Sequence, residues 1–415
     1  MLAIAGPPNI ATSEHALDAA SAIAPVAPGR LLMVEQGGRG GVADYTAQLT
    51  RALAAEGWHV QLASAADHLY APAPGVSVEG VFHYVRGHTR PGRAVRSRGL
   101  GRIANGLRFL AALPRLARLA RGADVVHTQG WELAPLGIFA VLALRFSGAP
   151  VVQTWHNTFE RNTALARFDW MVRDVLARLT ARTIVHTESD LAGLPVRIRD
   201  RAVVIPHGEY GALARTGGDV DRDAVRAELG LSRDAPVTLM FGQLRPDKGL
   251  GDLLVAVSAI PELHLIVAGQ ELGALAAERG LLESPELAGR VIVREGFLEM
   301  SEAARLFAAT DTVSLPYEVA SQSGVLLLAY GFGRPVVVYP VGGLVEAVHD
   351  GETGWICTSA DSEALRAALA DSVAAGWPEC RRRGEAGARL ALERFGWPAI
   401  AQRTGEVYRA ARGRD

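Results

Sequence analysis

Lysine is almost missing from this chain. Of its 43 basic residues one is a lysine, Lys248, and the rest are arginines. Cysteine is nearly as scarce: Cys357 and Cys380 provide neither a disulfide framework nor a cysteine-based metal site. Long apolar runs are absent too. The longest, Leu133–Leu144, stops at Arg145 and is too short to span a bilayer. The first 29 residues are rich in Ala and Pro and lack a basic leader, so they read as a loose extension and not as a signal peptide, which makes the cytoplasm the expected location. Aromatic residues are few and do not alternate with basic ones, which argues against nucleic acid as a partner.

What is present is a 415-residue chain of high apolar content and moderate charge, enough for two domains. The net charge of −1 hides an asymmetry: residues 1–208 hold 22 Arg against 15 acids, net +7, leaving −8 for the remainder. Short β-rich runs alternate with helical patterns. In the first half these are RLLMVEQ, HVQLAS, DVVHTQ, PVVQTWH and RTIVHT; in the second VTLMFGQ, LHLIVAG, VIVREGF, TVSLPY and PVVVYP. That grammar predicts an α/β chain built as two Rossmann-like, doubly wound domains facing each other across a cleft. In such sheets ligands bind beyond the carboxyl ends of the strands. The expected division is a 1–29 extension, a 30–208 first domain, a 209–393 second domain and a 394–415 C-terminal helix.

Three strand ends carry the candidate chemistry. EQGGRGGVADY sets Gly37, Gly38, Gly40 and Gly41 between a strand and a helix, where backbone N–H groups can approach an anion. It is not a clean dinucleotide fingerprint, since Asp67 is the one acid near the next strand's end. GQLRPDKG places Arg245 and the lone Lys248 three apart in a loop after a strand, a planar fork beside a point charge, as suits phosphate oxygens. PYEVASQSG, residues 316–324, joins a strand to a helix and offers the hydroxyls of Ser321 and Ser323, the amide of Gln322 and the first N–H groups of a helix at Ser323, Gly324 and Val325. His127 and His186 end apolar strands, where a satisfied buried imidazole is the ordinary outcome. Trp131 and Trp155 suit either sugar stacking or core packing. The stretch Arg86–Arg121 contains ten Arg and no acid and is partly amphipathic, which fits an anionic membrane surface or a solvated helix face.

GGRGGVADY, TWHNTFE, VVIPHG, GQLRPDKG, GRPVVVYPVGGLVEAVHDGETG and RFGWPAIAQRTGEVY, in that order between Arg30 and Tyr408, resemble the retaining family 4 (group 1) glycosyltransferases of GT-B fold. The resemblance implies that the second domain binds a nucleotide diphosphate sugar with Arg245 and Lys248 on the diphosphate. It implies that Gly40 and Gly41 approach the donor from the first, acceptor-binding domain, that His156 lies by the transferred sugar, and that Glu346 faces the nucleotide. The last helix, from Arg394, would cross back to the first domain.

The chain departs from the family pattern in two respects, the first being IPHG, with His207, where IPNG is usual. The family's Glu, seven residues, then Glu is replaced: those positions are Ala320 and Leu328, with Ser-Gln-Ser-Gly between them, as in a subset of the family. The expected activity is metal-independent, cofactor-free, retaining transfer of a hexose-type sugar to a glycan, lipid-linked or small-molecule acceptor, as in polysaccharide biosynthesis. The expected setting is cytoplasmic, with peripheral contact at the inner face of the membrane. A nucleotide-sugar epimerase of the same architecture and a non-catalytic sugar-nucleotide-binding subunit are the alternatives.

Overall fold

A computed structural model describes residues 28–84, 100–131, 134–156 and 166–413. The first 27 residues and residues 85–99, which hold the start of the basic stretch, lie outside the described part. Two parallel sheets organise the rest. The first contains β1 (Arg30–Val34), β2 (His59–Ala65), β3 (Val76–Phe82), β4 (Val125–Thr128), β5 (Val151–Thr154), β6 (Arg182–Val185) and β7 (Ala202–Val204), in the order β3-β2-β1-β4-β5-β6-β7. The second contains β8 (Val237–Leu244), β9 (His264–Glu271), β10 (Val291–Glu295), β11 (Thr312–Leu315), β12 (Val336–Val338) and β13 (Gly354–Ile356), in the order β10-β9-β8-β11-β12-β13. The six strands of the second follow the same order as the first six of the first, and each strand order reverses once, between β1 and β4 and between β8 and β11. A crevice opens at such a reversal, at the carboxyl ends of the strands.

The central strands are apolar on both sides because both sheet faces are covered. Leu31 and Met33 of β1 point to one face, Leu32 and Val34 to the other, and all four are buried. The second face is covered by α2 (Leu100–Ala120), α3 (Ala134–Arg145) and α4 (Ala166–Leu179), which follow α1 (Gly41–Ala55) in the chain. A short helix, α5 (Glu188–Gly193), follows β6. In the second domain the helices that matter below are α6 (Leu250–Ser258), α7 (Met300–Ala309), α8 (Gly324–Gly331), α9 (Leu344–Ala347) and α10 (Ser362–Phe395), the last kinked at Gly376.

α11 (Trp397–Arg412) follows the second domain in sequence but packs on the first. Its Trp397, Ile400, Ala401 and Tyr408 share one apolar cluster with Leu31, Tyr45, Leu49, Trp58 and Val125. The Trp397 indole N–H donates to the Glu209 carbonyl at 2.8 Å, and Tyr408 is fully inaccessible. Among the described residues, no helix is long and apolar enough to cross a membrane.

Candidate functional site

The glycine-rich turn after β1 divides into two parts. Glu35, nearly buried, turns its carboxylate back on the loop and accepts from the Gly37 N–H at 2.6 Å, the Gly38 N–H at 2.7 Å and the Tyr70 hydroxyl at 2.6 Å. The first two glycines therefore give their donors to a residue of their own loop. Burial, with the Glu35 charge beside it, pushes the Tyr70 hydroxyl well above its ordinary range, so it stays a donor. Gly40 is the N-cap of α1 and supplies no side-chain cap, leaving first-turn N–H groups without helical partners. Gly40 and Gly41 line a cleft cavity of about 430 Å³. Trp131, Trp155 and His156 line it from the first domain, and Gln243 reaches it from the second.

His156, just past the end of β5, is held at both ring nitrogens. Nδ1 lies 3.1 Å from His186 Nε2, and Nε2 lies 2.8 Å from the Gln129 amide oxygen, Oε1. The partners constrain the proton on His186. His186 Nδ1 sits 3.0 Å from the Ile205 carbonyl, which only accepts, so Nδ1 carries the hydrogen and Nε2 is left as an acceptor. His156 Nδ1 faces that acceptor and His156 Nε2 faces the Gln129 amide oxygen, which also only accepts, so a neutral His156 donates to one of the two at a time. Burial and the neighbouring imidazoles hold His156 well below its usual pKa. Tyr45 packs against three of these rings, with centroids 4.9 Å from His156, 5.3 Å from His186 and 4.8 Å from His207. His127 is inaccessible and satisfied, between Tyr408 at 2.6 Å and Thr154 at 2.7 Å.

Across the cleft, the loop after β8 and the loop after β11 are fastened together. Gly249 adopts φ 72°, and a Cβ there would lie 2.0 Å from the Pro316 carbonyl oxygen, so only glycine allows the approach. The Glu318 N–H donates to the Asp247 carbonyl at 3.2 Å. Arg245 forks onto the Asp247 carboxylate at 2.8 and 3.0 Å and reaches Gln243 at 2.6 Å. The Lys248 ammonium lies over the Tyr317 ring, 3.3 Å from its centroid. Burial pushes the Tyr317 hydroxyl up to about 12. Two cations thus sit in one loop against one carboxylate, at the carboxyl end of β8.

The Ser-Gln-Ser-Gly segment takes part in a different set of contacts. Ser323 caps α8, its Oγ accepting from the Leu326 N–H at 3.2 Å, and the first-turn N–H groups of Gly324 and Val325 have no acceptor within the helix. The Ser321 hydroxyl donates to Asp190 of the first domain at 2.5 Å. Glu346 of α9 likewise reaches the first domain, accepting from the N–H groups of Glu188 and Ser189 at 3.0 and 2.8 Å, where α5 begins. A Cβ on Gly343 would lie 1.9 Å from the Ser321 carbonyl oxygen and 2.5 Å from Thr187, so the two domains meet closely here. Gln322, Ser323 and Glu346 line a smaller interdomain cavity of about 160 Å³ with His186 and His207, and the buried Gln322 Oε1 has no partner. Ala320 and Leu328, where the family's glutamates would stand, are both buried, Leu328 within the apolar core.

The fold therefore brings Gly40, Gly41 and His156 to one wall of the cleft and Arg245 and Lys248 to a loop opposite, with Gln243 linking the two. Ser321 and Glu346 instead join the domains. Sequence reasoning missed Glu35, Gln129, Asp190 and Tyr317. Glu35 had a visible signal, an acid two residues before a glycine pair. Gln129 and Asp190 had none, because their partners are 27 and 131 positions away.

Comparison with known proteins adds the following. Residues 39–208 match the family described as Glycosyltransferase Family 4, and residues 235–374 match that described as Glycosyl transferases group 1. The D-inositol 3-phosphate glycosyltransferase of Xylanimonas cellulosilytica is 31% identical over 405 residues, covering 90% of this chain and 93% of that one. Its counterpart in Streptomyces scabiei is 31% identical over 323 residues, 69% of this chain and 68% of the relative. Among solved structures, sucrose-phosphate synthase from Thermosynechococcus elongatus superposes with a TM-score of 0.71 at 23% identity, covering 92% of this chain and 98% of that one. Anabaena HepE in complex with UDP-glucose gives 0.69 at 17% identity, covering 92% and 99%. These likenesses establish the GT-B arrangement of two parallel-sheet domains.

Proposed function

This chain belongs to the family 4, group 1 glycosyltransferases, and from that premise we propose a retaining, metal-independent enzyme that takes a hexose-type sugar from a nucleoside diphosphate donor. The observation that carries the reading is the cleft itself. An uncapped helix N-terminus at Gly40 and Gly41 and a paired imidazole at His156 line a cavity that Gln243 reaches from the second domain, and Gln243 accepts from Arg245 in the loop that also holds Lys248.

In this reading residues 30–208 bind the acceptor, residues 209–393 bind the donor, and the segment from 394 returns to the first domain. The diphosphate lies on Arg245 and Lys248, with the N–H groups of Ser323, Gly324 and Val325 beside it. As the sugar–oxygen bond breaks, negative charge grows on the departing diphosphate and these fixed donors stabilise it. The acceptor hydroxyl enters from the same side of the sugar, so the anomeric configuration is kept. His156, neutral, contacts the sugar. Ribose recognition shifts away from Leu328, toward Gln322 or a Glu346 released from α5. The acceptor belongs to the polyols and glycans; the relatives' name points to a phosphorylated polyol, and Arg39 and Arg173 at the cleft suit such an anion. A cytoplasmic setting and peripheral contact with anionic membrane through the basic stretch complete the proposal.

The test is a thermal-shift screen of the purified chain against a panel of nucleoside diphosphate sugars, followed by anomeric analysis of the product. A donor that raises the melting temperature and yields an inverted product would overturn the retaining mechanism; no stabilisation by any donor would overturn the reading as a whole.

A further inference from the structure

Among the described residues, three neighbouring helices of the first domain leave an apolar surface uncovered. α2, α3 and α4 bury one side against the sheet through Phe109, Leu116, Val141, Leu144, Val172 and Leu176. Their outer sides carry Ile103 and Leu107, each 63% exposed, Phe139 at 54%, Phe146, just past α3, at 88%, Phe168 at 48% and Met171 at 56%. Isolated exposed apolar residues are ordinary, but a set shared by adjacent helices is not. The middle helix is the telling one. From Ala134 to Leu144, α3 has no charged or hydrogen-bonding side chain. A helix apolar all round is normally covered all round, and among the described residues α3 is covered on one side only.

The rim of this surface is basic. α2 and α3 contain no acidic residue, Arg108, Arg118 and Arg121 are exposed, and Arg145 closes α3. We propose that the α2–α3–α4 face docks on an anionic lipid bilayer and that the acceptor taken by the cleft is lipid-linked. This rests on the reading of the cleft as a sugar-transfer site and names its acceptor class. The cleft cavity is walled by the same part of the fold: Trp131 lies just ahead of α3, and Arg173 and Leu176 belong to α4. A polar head group can enter beside them while its tail stays in the bilayer. Charge decides against a second copy of this chain as occupant, because a two-fold contact would set one arginine-rich rim against another. An anionic surface meets both the apolar face and its rim.

The experiment uses the full chain and vesicles of phosphatidylglycerol and phosphatidylcholine in equal parts, with pure phosphatidylcholine as control. Sedimentation should show binding to the first only, weakening steeply with salt. Phe139→Ser with Phe146→Ser, and separately Arg118→Gln with Arg121→Gln, should each weaken it by about 10-fold or more. These side chains are exposed, so folding should persist, checked by unchanged melting and unchanged stabilisation by UDP-glucose or another donor that stabilises the wild type. No binding of the wild type at low salt overturns the proposal. So does undiminished binding of the phenylalanine pair, or a dimer in light scattering that the pair dissolves. Docking without donor binding would leave the surface standing and remove the transfer reading. Docking with equal transfer rates to a water-soluble and a vesicle-borne acceptor would remove the lipid-linked acceptor.

Discussion

Lys248→Ala is the most direct probe of the cleft. The ammonium is placed over the Tyr317 ring, 3.3 Å from its centroid, and Tyr317 is itself buried. A unit charge about 4 Å from a phosphate oxygen contributes about 4 kcal/mol at an effective dielectric constant of about 20. Much of that attraction exists already in the bound donor and does not accelerate the reaction. The part that belongs to charge developing on the leaving oxygen is roughly 3 kcal/mol, as for a single donor in an oxyanion hole, or about 10²-fold in kcat. Arg245→Lys tests the neighbouring cation differently. The guanidinium forks onto Asp247 and reaches Gln243 at once, a geometry that an ammonium cannot reproduce, so KM for the donor should rise by about 10-fold. The assay is the initial rate of nucleoside diphosphate release, with kcat and KM resolved separately. Kinetics like the wild type in both variants would refute the phosphate role of this loop. A melting temperature lowered by more than a few degrees in Lys248→Ala would instead mark the Lys248–Tyr317 contact as structural.

Three further outcomes are expected. His156→Ala should lower turnover and leave nucleoside diphosphate affinity nearly unchanged, because its contact is to the sugar; an equal loss of both would refute that placement. Ser323→Pro removes one backbone donor and the α8 cap together, so a folded variant with unaltered diphosphate affinity by calorimetry would sink the cradle at this helix, and a large penalty for the 2′-deoxy diphosphate in wild type would sink relaxed ribose recognition. Stability should fall on acidification. Burial holds His127 and His207 to about 3 against an ordinary 6.5, so below about 6.5 the unfolded chain takes up protons that the folded chain refuses. Each of the two lowers stability by up to about 1.4 kcal/mol per pH unit between those limits, and melting curves from pH 7 to 4 should be flatter for His127→Gln than for wild type.

The buried middle of each sheet was legible; of the margins, β10 (VIVRE) was read and β3 and β13 were not. RLLMV, VVHT and TVSL announce themselves because a parallel strand covered on both faces is apolar throughout. β3 and β13 are edge strands: VSVEGVF is half-exposed and interrupted by Glu79 and Gly80, and GWI is three residues long, so neither shows a period. The same split holds in the site. Arg245, Lys248 and the glycine turn are local motifs at strand ends. The grip of Glu346 on the start of α5 spans 158 positions, and the link from Ser321 to Asp190 spans 131, so only the assembled fold makes them neighbours.

The path of α11 has a consequence for synthesis on the ribosome. The first half of the chain emerges first, yet its core is finished by residues translated after the whole second domain. Until Trp397 and Tyr408 arrive, the cluster around Tyr45 and Trp58 lacks one wall and His127 lacks the Tyr408 partner at 2.6 Å. The nascent first domain must therefore wait, part-formed and with apolar surface open, while more than a hundred and fifty further residues are added. The second domain meets no such delay, since its sheet and both of its covering layers lie within one continuous stretch of chain. The first domain is thus a finished body only when the last helix closes over it.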